Sequence, residues 1–83
     1  MAAPTTVLFE ALHDADAHDD FTRLSGDRKL LVLSAVVSYG RELLVTGNGA
    51  ADEAGRLITA VTGCSRLGDA VRRAVRTWAG PVN

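Results

Sequence analysis

The chain has 83 residues, of which 47% are hydrophobic and 23% are charged, and its formal net charge is −1. This length accommodates a single domain, and the hydrophobic content excludes an intrinsically disordered chain. The near-zero net charge excludes a strong overall attraction to nucleic acid or to an anionic membrane, so such binding would have to be local.

A domain of this size is only marginally stable with its core alone. Disulfides, bound metal ions and self-association are the usual additional sources of stability. Cys64 is the only cysteine, which excludes a disulfide within the chain and favours a small buried side chain. No strong metal-binding pattern occurs, so no cofactor is predicted. Self-association remains as the expected source of additional stability.

Apolar residues recur at helical spacing in four places, whereas no run alternates in the manner of a strand. The chain is therefore predicted to be all-α, a single helical domain over residues 1–83. It is predicted to form a small bundle of four main helices, at residues 6–16, 28–46, 50–62 and 65–79. A short helical turn near residues 20–24 is expected in addition.

The second predicted helix, 28–46, is apolar around most of its circumference rather than along one stripe. Such a helix has to be covered on nearly all sides, so we expect it at the centre of the bundle. Only three other short helices are available to cover it, which predicts that part of the surface between Leu30 and Val45 contacts a partner. Gly40, inside this helix, predicts a bend or a close contact with another helix.

Segments that contain glycine mark the ends of predicted helices. The residues at 47–49 end the second helix, because glycine and asparagine tolerate the left-handed conformation that satisfies terminal carbonyl groups. Helix 65–79 has the clearest amphipathic pattern of the chain. We expect Ser65 to cap its beginning, and Gly80 with the following proline to end it.

The segment from His13 to Asp20 is rich in histidine and aspartate, which bind divalent metals, and histidine also changes charge near neutral pH. His13 and His18 are five positions apart and so lie off a common helix face, unlike the i, i+4 pair of zinc sites. The segment also lacks the glycine and the glutamate of a calcium loop. We therefore interpret it as a solvated acidic helix end or loop without a metal site.

The last helix carries the candidate binding residues, which are Arg66, Arg72, Arg73, Arg76 and Trp78. Residues 50–83 contain five arginines and three acidic residues, whereas residues 1–27 contain six acidic residues and one arginine. An arginine surface suits an acidic partner, either another protein or the acidic segment of a second copy. Phosphate contact in a helix-turn-helix is the alternative, although this helix offers no asparagine, glutamine or lysine for base edges. Trp78 either anchors such a contact or packs into the core, and its spacing favours the core.

No glycine-rich phosphate loop, cysteine pair or nucleophile elbow occurs, so the chain is not predicted to be an enzyme. The N-terminus lacks a signal-peptide pattern and the densest apolar stretch is too short to span a bilayer, which predicts a cytoplasmic protein without membrane contact. The predicted function is a small helical protein–protein interaction module, namely a self-associating adaptor, inhibitor or regulatory subunit of bacterial or phage origin. The alternative is a DNA-binding regulator that uses the arginine-bearing last helix.

Overall fold

The structure, a computed structural model, describes residues 3–47 and 49–80 of the chain. In this part of the chain it contains five helices and no strand, which confirms the all-α prediction. The helices are α1 (Pro4–Ala11), α2 (Ala15–Thr22), α3 (Gly26–Thr46), α4 (Gly49–Thr62) and α5 (Ser65–Ala79). None of these helices combines the length and the apolar content that crossing a membrane requires.

The predicted first helix, 6–16, is two helices in the structure. Leu12 ends α1, and Asp14 begins α2, because its Oδ1 accepts a hydrogen bond at 3.0 Å from the amide two residues later. The acidic segment is therefore mostly a helix of its own, and the turn expected near residues 20–24 coincides with the end of that helix. The buried side chains of α2 are Ala17 and Phe21.

The longest helix, α3, begins two residues earlier than predicted. The Ser25 hydroxyl caps it by accepting a hydrogen bond from the Arg28 amide at 3.3 Å. The helix ends at Gly47, which has a φ of 92° that side chains disfavour. The last residue of α3 is Thr46 and the first residue of α4 is Gly49, which confirms the predicted break between these helices.

The central helix of the domain is α5 rather than α3. It packs against each of the other four helices. The expectation that the 28–46 helix is central is therefore wrong, because α3 packs on α1, α4 and α5 from one side and leaves its opposite side exposed. The buried residues of α5 are Leu67, Gly68, Ala70, Val71, Ala74, Val75 and Trp78.

The junction between α4 and α5 differs from the predicted serine cap. Ser65 is the first residue of α5, and the preceding Cys64 is extended and makes no side-chain cap. Instead, the Cys64 amide donates to the Thr62 hydroxyl at 3.3 Å, and its thiol donates to the Thr62 carbonyl oxygen at 3.5 Å. Cys64 is half-buried rather than fully buried, so its role here is to shape the turn.

Two close contacts fix how α5 packs on its neighbours. The indole of Trp78 covers Gly40 of α3 so closely that a Cβ atom at position 40 would overlap with the ring. Against α4, a Cβ atom at Gly68 would overlap with the Thr59 side chain and with the carbonyl oxygen of Gly55. Gly40 therefore marks a close helix contact, one of the two outcomes that the sequence predicted.

The contact between Gly40 and Trp78 predicts the outcome of a glycine-to-alanine substitution. Helix propensity alone would make Gly40→Ala stabilising by about 1 kcal/mol. Overlap with the indole should instead lower the free energy of unfolding by about 1–3 kcal/mol, measured by urea denaturation. Gly26→Ala is the matched control in the same helix, because a Cβ atom there meets nothing within 4 Å, and its stability should not fall. A stabilised Gly40→Ala variant would contradict the packing described here.

Candidate interaction surface

The arginine face of α5, defined as Arg66, Arg72, Arg73 and Arg76, is engaged within the chain. Arg66 lies between two carboxylates of α2. Its Nη1 is 3.3 Å from Asp16 Oδ2, and its Nη2 is 3.4 Å from Asp20 Oδ2. The acidic segment thus pairs with an arginine of its own chain in this structure.

Arg72 and Arg76 converge on Asp52 of α4. The Arg76 Nη2 lies 3.5 Å from Asp52 Oδ1, and the Arg72 Nη1 lies 3.0 Å from Oδ1 of Asp69 on the same helix. The buried Arg72 Nε lies 3.2 Å from Asp52 Oδ1, an ion-pair contact whose geometry falls outside that of a hydrogen bond. These pairs connect α4 to α5, and each contributes at most about 1 kcal/mol because the groups are partly exposed.

Arg73 caps a neighbouring helix. Its Nη2 donates a hydrogen bond at 3.1 Å to the Ala11 carbonyl oxygen, at the C-terminal end of α1 where carbonyl groups lack partners within the helix. All four arginines of the face therefore help to hold α1, α2 or α4 on the central helix. A carboxylate or phosphate from a partner would have to compete with these contacts.

Trp78, the remaining candidate, belongs to the core. Its side chain is only 8% exposed and packs over the backbone at Gly40. Burial of this kind leaves little of the indole for contact with a partner. The structure therefore places Trp78 in the core, as its helical spacing predicted.

Exposed apolar side chains concentrate on α3. Among the described residues, six large hydrophobic side chains are exposed, and four of them belong to this helix. Val45 is 84% exposed and Leu30 is 64% exposed, which is unusual for residues of their size. The exposed apolar residues of α3 are Leu30, Leu31, Leu44 and Val45.

These side chains share one side of the helix with small and charged residues. Val32, Val36 and Leu43 are buried on the opposite side of α3. The helical period therefore places the four exposed apolar side chains on the side that faces away from the core. The outer face of α3 is defined here as Asp27, Leu30, Leu31, Ser34, Val37, Ser38, Arg41, Leu44 and Val45. The sequence predicted that part of α3 would stay uncovered, and the structure shows which part.

The middle of the outer face forms a shallow groove against the beginning of α1. Its volume is about 360 Å³, and it is lined by Pro4, Leu33, Ser34, Val37 and Ser38. The serines are small and leave room between the larger side chains. None of these lining residues is ionisable, and the groove is suited to receiving an apolar side chain.

The polar members of the outer face were not singled out from the sequence. Asp27, Ser34 and Arg41 recur every seven positions, a spacing that places residues of one helix on one face. That heptad spacing was the available signal. It was obscured because apolar residues surround these three positions on nearly all sides.

The histidine and aspartate segment does not form a metal site in this structure. Within residues 3–47 and 49–80, no three His, Cys, Asp or Glu side chains lie close enough together to hold a metal ion. The His18 ring packs at 5.9 Å from the Phe9 ring, and Phe9 in turn contacts Phe21 edge-on at 5.6 Å. The segment therefore joins α1 to α2 through aromatic packing.

Comparisons with known proteins give no family for this chain. No protein-family model matches it, and neither a curated protein nor a solved structure matches it significantly. Its function therefore has to be argued from its own geometry.

The contact of Arg73 with α1 predicts a specific loss of stability. Arg73→Ala removes the hydrogen bond to the Ala11 carbonyl oxygen, so the free energy of unfolding should fall by about 1 kcal/mol. Arg56→Ala on α4 is the matched control, since Arg56 is exposed and makes no ion pair with a described residue; its effect should stay within about 0.5 kcal/mol. Urea denaturation compares the two, and equal effects would show that Arg73 does not cap α1.

Proposed function

We propose that this chain is a small protein–protein interaction module, an adaptor, inhibitor or regulatory subunit, that binds its partner through the outer face of α3. One observation carries the proposal: Leu30, Leu44 and Val45 are more than half exposed on a single side of one helix. Exposed apolar side chains along one helix face are candidate interaction sites, because covering them is favourable at about 25 cal/mol per Å² of apolar area.

The outer face of α3 is better suited to this role than the arginine face of α5. A partner that binds α3 removes apolar surface from water without breaking a side-chain hydrogen bond or ion pair between described residues. A partner that binds Arg66 or Arg72 has to displace carboxylates that already lie within about 3.5 Å. Binding through α3 therefore has the smaller cost.

The same contacts give the DNA-binding alternative less support. A phosphate-binding helix needs cationic groups available to the backbone of the nucleic acid. Three of the four arginines of α5 pair with carboxylates, and Arg73 donates to a carbonyl group. The acidic side chains of α2 and α4 that pair with them would also face the phosphates and repel them.

Site-specific cross-linking tests the proposal. A photo-reactive amino acid at Ser34, in the middle of the outer face, should give discrete cross-linked protein species in the native host. The same amino acid at Glu53, an exposed position on α4, is the matched control and should not give those species. Their absence at position 34, or their equal yield at position 53, would contradict binding through α3.

A double substitution links these species to the apolar residues. Leu30→Glu with Val45→Glu places charge in the outer face without touching the core, since both side chains are more than half exposed. Helical circular dichroism should be unchanged, whereas the cross-links at position 34 should be lost. Cross-links that persist in this variant would show that the exposed leucine and valine do not bind the partner.

A further inference from the structure

The geometry points to a second copy of this chain as the occupant of the outer face of α3, packed antiparallel about Ser34. This inference rests on the proposed function, because it uses the same surface and names the partner. It is carried by the distribution of charge along the face, which is self-complementary in only one relative direction of the two helices.

Asp27 and Arg41 lie at equal distances from Ser34, one on each side. Each is seven positions away along α3, which is about 10 Å along the helix axis. Seven residues are nearly two full turns, so all three side chains lie on one face, and all three are exposed. A two-fold axis through Ser34 therefore brings Asp27 of each copy opposite Arg41 of the other.

A parallel arrangement of the two helices would have the opposite effect. It would place Asp27 opposite Asp27 and Arg41 opposite Arg41, and like charges across an interface repel. The charge pattern thus favours the antiparallel arrangement, in which one interface contains two Asp27–Arg41 pairs.

Neither Asp27 nor Arg41 has an ion-pair partner in the part of the chain that the structure describes, unlike most arginines of α5. Asp27 lies in the first turn of α3, where its charge also stabilises the helix end. The Arg41 side chain makes no hydrogen bond or ion pair with another described residue, so its guanidinium is available to an acidic group of a partner.

The apolar residues near the beginning of α3 meet its middle in the same arrangement, whereas Leu44 and Val45 fall opposite positions 24 and 23, before α3 of the second copy begins. An antiparallel two-fold axis keeps each flank of the face together, so Leu30 of one copy lies beside Val37 of the other, and Leu31 lies beside Ser38. The groove lined by Ser34, Val37 and Ser38 is therefore where Leu30 and Leu31 of the second copy arrive. A large side chain meets a small one where Leu31 reaches Ser38, which allows close packing.

The dimensions of α3 imply a weak, reversible dimer. The helix has 21 residues, and its length is therefore about 30 Å. Stable complexes begin at roughly 1,200 Å² of total buried surface, and we expect a contact through one face of a helix of this length to lie near or below that value. We therefore expect monomer and dimer to exchange, with the dimer favoured at high concentration.

Charge-reversal variants test the antiparallel pairing. Asp27→Arg alone places two arginines opposite each other, and Arg41→Asp alone places two aspartates opposite each other. Each variant should raise the dimer dissociation constant by about tenfold or more, measured by light scattering or sedimentation across a dilution series against the 8.7 kDa chain mass. An equimolar mixture of the two variants should form a heterodimer, because each copy then supplies the charge that the other needs.

Two controls separate charge pairing from a general effect of charge. The double variant carrying Asp27→Arg and Arg41→Asp should dimerise like the original chain, since the swap restores both pairs. Glu53→Arg and Arg56→Asp make the same charge changes on exposed positions of α4, and neither should alter dimerisation. Circular dichroism on each variant shows that the helices are intact.

A chain that stays monomeric at every concentration, or single reversals without effect, would overturn the antiparallel dimer. A mixture of the two single variants that fails to associate, although circular dichroism shows both variants to be folded, would overturn it as well. The proposed function fails by a different result, namely the absence of specific cross-links at Ser34. Cross-linking of Ser34 to a foreign protein, together with a monomeric chain in solution, would keep α3 as the binding surface and exclude the second copy as its occupant.

Discussion

The burial of α5 is the interaction on which the rest of this structure depends. Seven of its residues are buried, and every other helix contacts it. The helices can approach closely because glycines lie at the contacts. Gly40 lies beneath Trp78, and Gly55 and Gly68 lie between α4 and α5. The arginines on the polar side of α5 then fix α1, α2 and α4 around its edge. One helix thus provides both the core and most of the polar contacts between helices.

The central position of α5 determines what α3 can do. Because α5 covers one side of α3, the other side remains exposed even though apolar residues surround the helix. Among the described residues, α1, α4 and α5 all pack on other sides of α3, and none of them covers this side. The exposed leucines and valine therefore follow from how the described helices pack, and this connects the fold to the proposed binding surface.

The sequence predicted the helices better than their arrangement. The bounds of α5 follow from its regular apolar spacing and from Gly80, and both are local signals. The break between α1 and α2 was missed because the apolar spacing continues through Leu12, while the decisive hydrogen bond is a single one to Asp14. The central helix was misassigned because hydropathy indicates how apolar a helix is, whereas its position depends on where backbones can approach closely.

The two sets of charged residues show why the candidate site was only partly predictable. Arg66 and its partner Asp16 are 50 positions apart, so no local pattern could reveal that they meet. The seven-residue spacing of Asp27, Ser34 and Arg41 is present in the sequence. The sequence does not show that this side of α3 is exposed, and the structure does. Charges that are paired within the chain stabilise the fold. Charges that remain unpaired beside exposed apolar residues are the ones available for recognition, and on α3 their order matches that of a reversed copy of the same helix.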